Sequence, residues 1–173
     1  MIDRVAGMSL VITVARVEDV TALIQSAASL FQEDGGQRDP FMDANWPTRN
    51  GLDYYLGMIT SARSLALLAR RDSTEGTVVG HLTGQMRAPN ELRPNAVVAE
   101  LVSMRVTEEQ RGHGVGAKLV EHFFSWAKEQ GANQATVSAY ASNTDAVCFY
   151  QGRGFQPELI GLKIDLSSLD QQA

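Results

Sequence analysis

Residues 111–119, RGHGVGAKL, place glycines at 112, 114 and 116 directly before a stretch with helical spacing. Alternate glycines uncover backbone N–H groups, and a helix N-terminus adds unpaired donors and a partial positive charge. Together these make a cradle for an anion, most often phosphate. Three phosphate-binding patterns compete for the segment. The P-loop pattern G-x-x-x-x-G-K-[S/T] fails, because Gly112 is followed five positions later by Ala117, and Lys118 by Leu119. The dinucleotide pattern G-x-G-x-x-G/A is met by Gly112, Gly114 and Ala117. It needs an acid about 20 residues on to hold a ribose, whereas the next strand candidate runs into VSAYAS without a carboxylate. The third pattern, [Q/R]-x-x-G-x-G-[A/G], is met by Arg111, Gly114, Gly116 and Ala117.

This third pattern is the acyl-CoA pyrophosphate loop, and here the chain resembles the GNAT superfamily of acyl-CoA-dependent N-acyltransferases. The stretch AELVSMRVTEEQRGHGVGAKLVEHFFSWAKEQG is similar to that family's strand–loop–helix core, with a V-T-x-x-x-R-G lead-in. Downstream, Asn143, Ala146, Phe149-Tyr150 and Gly154-Phe155 follow the second block, N-x-x-A-x-x-F-Y-x-x-x-G-F. The resemblance covers residues 99–155 and implies a co-substrate, acetyl-CoA, and no metal. It places the pyrophosphate on the loop of Arg111, Gly112, Gly114, Val115, Gly116 and Ala117, through backbone N–H groups. Met104 and Val106, at the end of the preceding strand, would offer backbone groups to the pantetheine arm like a further strand; their side chains also suit a core. Asn143 would hydrogen-bond that arm, or cap a helix.

Two residues carry the implied chemistry. Attack of an amine on a thioester expels a thiolate, and Tyr150 is placed to stabilise or protonate it, a thiol at about 8.5 and a phenol at about 10 being close enough in pKa. The alternative for Tyr150 is packing beside Phe149. The amine arrives protonated, near pKa ~10, and Glu100 is the candidate base. Its place on the long strand, on the face of Met104 and Val106, is expected to raise its pKa through burial. Glu100 could instead hold a cationic substrate or pair with an arginine. His81 is a second base candidate and reads better as a satisfied sheet histidine. Lys118, Arg105 and Arg153 could meet CoA phosphates.

These residues need a scaffold, and the pattern supplies one. Period-two spacing predicts a strand over Ser9–Ala15, with Leu10, Ile12 and Val14 on one face. Val20, Leu23, Ala27, Leu30 and Phe31 then follow helical spacing, with Gly35-Gly36 as a stop. Residues 37–50, with two prolines and two large aromatics, read as a loop. A shorter helix is expected at 52–61. Strands at 64–70 and 77–86 form a hairpin across RDSTEG, and a long strand runs from 96 to 106. The best-marked helix, 115–130, places Val115, Leu119, Phe123 and Trp126 together and ends at Gly131. A strand at 134–139, a helix at 144–151 and a last strand or two within 155–166 complete the order. The fold class is therefore α/β: one domain over residues 1–173, GNAT-like, with a mixed, mostly antiparallel sheet of about six to seven strands and about four helices.

Composition bounds the rest. The chain has 173 residues, 44% of them hydrophobic, and a net charge of −5, which speaks against a nucleic-acid partner. The single cysteine, Cys148, rules out an internal disulfide and fits a reducing compartment; it reads as a buried thiol. His81, His113 and His122 lack metal-ligand spacing. No apolar run approaches the ~20 residues that span a bilayer, and the N-terminal stretch lacks a signal-peptide pattern, so a cytoplasmic protein is expected. The partners expected are acetyl-CoA and an amine acceptor, with a homodimer left open. Phe41 and Trp46, flanked by Asp39 and Asp43, could wall a pocket for a cationic amine. The acceptor could be a small molecule, a lysine or a protein N-terminus. Two further readings keep the loop: a non-catalytic acyl-CoA sensor and a nucleotide-binding oxidoreductase.

Overall fold

In a computed structural model, which describes residues 2–5 and 8–166, the long apolar run of residues 64–71 becomes the spine of a sheet. The strands are β1 (Ile2–Val5), β2 (Met8–Val14), β3 (Ser64–Arg71), β4 (Val78–Met86), β5 (Val98–Val106) and β6 (Gln134–Val137). They lie side by side in sequence order. Every pairing from β1 to β5 is antiparallel, and β6 joins β5 in parallel.

Both faces of the sheet are covered, which is why β3 shows no polar alternation. Leu65, Leu67 and Ala69 enter one core with Leu82, Ala99 and Leu101. Against it lies α5 (Val115–Glu129), whose Val115, Leu119 and Phe123 are fully buried. Ala66 and Leu68 point the other way, into a second core with Ala15, Leu23, Ala27 and Tyr55. That core is roofed by α1 (Val20–Leu30) and α4 (Leu52–Thr60). Burying side chains of this size is worth about 1.5–3 kcal/mol each, so the two layers hold β4 and β5 rigidly between them.

Several sequence expectations need correction. Five of the expected strands form. The one expected within 155–166 does not, and the sixth position in the sheet is taken by β1 instead. The period-two residues Ile160, Leu162, Ile164 and Leu166 stay exposed and join no strand among the described residues. Gly35-Gly36 is not a stop. The chain continues from α1 through a π-helical turn, Phe31–Gly35, into a short α2 (Gly36–Arg38). Gly35 serves close approach there, since a Cβ would sit 2.2 Å from the Met42 sulfur. The segment read as a loop contains a further helix, α3 (Trp46–Asn50), with Pro47 in its first turn, where proline is pre-organised for a helix.

Candidate active site

The site begins where β5 and β6 part. Their pairing runs only from Val98↔Gln134 to Leu101↔Val137. Beyond Leu101, β5 stays paired with β4 as far as Gly80↔Val106, while its other edge has no strand partner among the described residues. The backbone groups of Met104 and Val106 are therefore at an open fork. A bulge lies at the same point: Gly84 pairs with Leu101 and Thr83 with Ser103, leaving Val102 unmatched. One extra residue reverses the side-chain alternation. Ala99 and Leu101 before the bulge, and Met104 and Val106 after it, all face the α5 core. Glu100, Ser103 and Arg105 face α1 and α4. The expected common face of Glu100 with Met104 and Val106 is thus corrected.

The glycine loop closes the mouth of the fork. Gly112 (φ +75°) and Gly114 (φ +81°) are left-handed, a backbone state costly for any residue with a Cβ. Gly114 is the N-cap of α5, whose first turn supplies the donors. A Cβ at Gly112 would meet nothing within 4 Å, so its surroundings are open to a ligand. Gly116 has a different reason: a Cβ there would lie 3.2 Å from Phe149 Cζ and 3.7 Å from Met104 Cε. It lets β5, α5 and α6 (Thr144–Gly152) converge. The donors and the open cradle fit a pyrophosphate. Arg111 does not point its charge into the loop. Its Nε donates to the Val106 carbonyl (3.1 Å) and its Nη2 to Glu33 (3.0 Å). Glu33 also clamps Arg105, with Nη2 donating at 2.5 Å.

α6 carries the other two residues of this side. Asn143 caps the helix, its side-chain oxygen accepting from Ala146 N at 3.1 Å, and its amide donates to Asp34 at 2.8 Å. Tyr150 packs edge-on against Phe149 and Phe155, with centroids 5.3 and 5.7 Å away. Burial, with a smaller contribution from Asp34, pushes its phenol up to about 12. Cys148, expected buried, is exposed on the same helix.

The opposite face of β5 is polar. Glu100 accepts from Arg87 Nη2 at 2.7 Å and from Gln85 Nε2 at 3.1 Å. The Arg87 hydrogen bond is the main reason its pKa lies below the usual carboxylate range; Gln85 and the charge of Arg87 add to it and outweigh burial. The expected upward shift is therefore reversed. Tyr54 stands beside it, its own phenol raised by burial and then by Glu100. His81 is fully buried, as a satisfied sheet histidine should be: Nδ1 meets Ser26 Oγ at 2.7 Å and Nε2 meets Ser103 Oγ at 3.2 Å. Burial, then Arg105, lowers it to about 3.

Phe41 and Trp46 are not brought together. Phe41 is 80% exposed. Trp46 stacks on Phe31 and meets Tyr54 edge-on, packed against the second core. Sequence reasoning missed Glu33 and Asp34, which reach the loop and α6 from the π-helical turn. It also missed Ser26 and Ser103. Nothing in their spacing marks them, because their partners lie 55 to 109 positions away for Ser26 and Asp34.

The fold and the loop define a class. Residues 22–155 match the acetyltransferase (GNAT) family, and the chain belongs to that family of acyl-CoA-dependent N-acyltransferases. Acetyl transferase GW6a of Oryza sativa subsp. japonica is 32% identical over 80 residues. That match takes in 43% of this chain and only 19% of the relative's length. Among solved structures, a tetramutant of the BH1408 protein from Bacillus halodurans is similar at TM-score 0.78 and 18% identity, covering 90% of this chain and 99% of that one. The aminoglycoside N-acetyltransferase AAC(6')-Iy in complex with CoA is similar at TM-score 0.72 and 15% identity, covering 96% and 99%. At those identities the likeness concerns the fold.

Proposed function

We propose that the chain transfers the acetyl group of acetyl-CoA to a primary amine of a small molecule by direct attack in a ternary complex. The observation that carries this reading is the convergence at one place of the open β5 edge, the left-handed glycine loop and α6, joined through Gly116, Phe149 and Met104. Acetyl-CoA, when bound, supplies an acyl carbon activated as a thioester. The N–H groups of residues 112–117 and the α5 N-terminus hold the pyrophosphate. Met104 and Val106, on the edge of β5 that no strand covers among the described residues, offer backbone groups to the pantetheine arm as a strand would. The Val106 carbonyl already accepts from Arg111. Asn143 stands at the α6 cap beside that edge, its amide held by Asp34.

Tyr150 is the group that meets the departing sulfur. Among the described residues its hydroxyl has no hydrogen-bond partner, and at a pKa of about 12 it stays protonated wherever an amine reacts. A thiol near ~8.5 is the stronger acid by a wide margin, so Tyr150 stabilises the thiolate by donating a hydrogen bond rather than by surrendering its proton. On the other face of β5, Glu100 remains ionised and half-buried, with Tyr54 beside it. A carboxylate next to an aromatic ring suits an ammonium group. Glu100 therefore holds the acceptor, and its depressed pKa makes it a poor base. AAC(6')-Iy, described as an aminoglycoside N-acetyltransferase, shares the fold, and a small amine fits the pairing of Glu100 with Tyr54.

Free-thiol release from acetyl-CoA, measured with kanamycin, spermidine and an alanyl-terminated peptide, tests the reading. Turnover with the small amines above the peptide supports it. Preference for the peptide overturns the acceptor class, and CoA binding without turnover of any amine makes the chain a sensor.

A further inference from the structure

With Glu100 held as a carboxylate, the ammonium of the acceptor needs another outlet for its proton. Three positions along the same face of β5 stands Ser103, partly exposed just past the point where β6 ends. Its hydroxyl is the first link of a continuous chain through the middle of the protein. Ser103 Oγ lies 2.7 Å from Thr83 Oγ1 and 3.2 Å from His81 Nε2. The far side of the imidazole, Nδ1, lies 2.7 Å from Ser26 Oγ on α1. Ser26 in turn lines a groove between α1 and the β3–β4 turn, with Gln25, Ser29, Glu75 and Arg105. The chain thus starts on the acceptor face, passes beneath α1 and ends at Ser26, buried at the wall of that groove.

We propose that Ser103, His81 and Ser26 relay the acceptor's proton from the fork to the groove. The proposal rests on the acetyl-transfer reading above and adds the route of the proton. The ammonium N–H bond breaks as Ser103 Oγ takes the proton, and Ser103 passes its own hydroxyl proton to His81 Nε2. His81 releases the Nδ1 proton to Ser26 Oγ, and Ser26 passes its hydroxyl proton to water in the groove. One proton enters, one leaves, and every side chain ends neutral. The imidazole exchanges tautomers without gaining charge, consistent with an environment that disfavours imidazolium. The amine lone pair freed in the first step forms the C–N bond as the C–S bond breaks. The thiolate leaves to the hydrogen bond of Tyr150 and takes up the second proton, which the new amide nitrogen sheds, so that CoA departs as the thiol. Thr83 donates to Ser103 and leaves its second lone pair for the incoming proton. The charged groups that face the relay are Arg105, tied to Glu33, and, along the groove, Arg70, tied to Asp19, and Glu75. In this scheme Ser103 is the catalytic residue, and His81 and Ser26 act through it.

His81→Gln is the discriminating variant, because an amide can bridge both hydroxyls but does not shuttle a proton between its ends. With the full chain and the small amine turned over fastest by the wild type, His81→Gln should lower kcat by about 10²-fold, the low end of acid–base contributions. Both KM values should stay in place, and the solvent deuterium isotope effect on kcat should change from that of the wild type. Ser103→Ala should do the same, and Ser103→Thr, which restores a hydroxyl, should recover most of the rate. If His81→Gln does not fold, Ser26→Ala provides the readout: the relay requires a fall in kcat, whereas a structural hydrogen bond lowers only Tm. A folded His81→Gln or Ser26→Ala protein with wild-type kcat and isotope effect would overturn the relay. A wild type that acetylates no amine would refute the underlying reading itself, an outcome visible before any variant is made.

Discussion

The two faces of β5 were built by different rules. On the side of α5 and α6 the residues are apolar or glycine, and the backbone does the binding: left-handed turns, a helix N-terminus and an unpaired strand edge. On the side of α1 and α4 the residues are Glu100, Ser103 and Arg105, each tied to a partner on another element. A backbone site is local, so its signature is a run of glycines. A side-chain network is assembled from distant segments, so its members look ordinary one at a time. The single bulged residue, Val102, is what allows one strand to serve both: it returns Met104 and Val106 to the apolar face and turns Ser103 to the polar one.

The division of labour can be broken most severely at Tyr150. Removing the phenol hydroxyl in Tyr150→Phe should lower kcat by about 10²–10⁴-fold while the affinity for CoA, read by calorimetry, stays unchanged. Unaltered kcat would reduce Tyr150 to a packing residue. Next come the glycines, which separate binding from packing within one loop. Gly112→Val forces a Cβ into a left-handed turn at a cost of about 1–2 kcal/mol and removes the cradle, so CoA affinity should fall at least tenfold. Gly116→Val meets Phe149 and Met104, so its first effect should be a lowered Tm from the displacement of α6. Equal losses of affinity and Tm in the two variants would erase the distinction.

On the polar face the effects are smaller. Glu100→Gln should raise KM for the amine several-fold with little change in CoA affinity. The sign of its titration also differs from that of a general base. Its folded pKa lies below the ordinary value, so the ionised form is favoured by folding. The stability it contributes is present above the ordinary carboxylate pKa and is lost as pH falls through the folded value. The kcat/KM profile should therefore show no acidic limb from Glu100 between pH 6 and 7, a range well above any carboxylate depressed from about 4.3. A limb there that disappears in Glu100→Gln would restore it as the base. Trp46→Ala, which strips the partner of Phe31 and Tyr54, should lower Tm by about 5–10 °C, as about 2–3 kcal/mol of lost packing implies. A raised KM for the amine at constant Tm would move Trp46 from the core into the acceptor site.

Much of the apolar face was legible in the sequence. The spacing of Val115, Leu119 and Phe123 places α5, and the loop of Arg111 to Ala117 marks the anion cradle. The block from Asn143 to Phe155 brings in α6. Each of these signals is contained within a few turns of chain. The polar face was not legible in the same way. A strand reading from strict alternation puts Glu100 with Met104, and only the unmatched residue in the ladder shows otherwise. Gln85 on β4 and Arg87 just past its end reach Glu100, so a carboxylate expected to be raised by burial is instead held down. Phe41 and Trp46 share a short segment and a flanking acid each, yet one is exposed and the other completes an aromatic stack. The exposed residues of 156–166 have strand-like periodicity but pair with no strand of the sheet, which a periodicity count does not register.

Amide hydrogen exchange of the full chain, with and without saturating CoA, tests the backbone site most directly, since it reads the N–H groups said to do the binding. Protection is expected at Met104 to Val106, at Gly112 to Ala117 and at the α6 N-terminus around Asn143, with β2 and β3 unchanged. Protection confined to other segments, or none at a CoA concentration that saturates binding, would contradict a site at the β5–β6 fork.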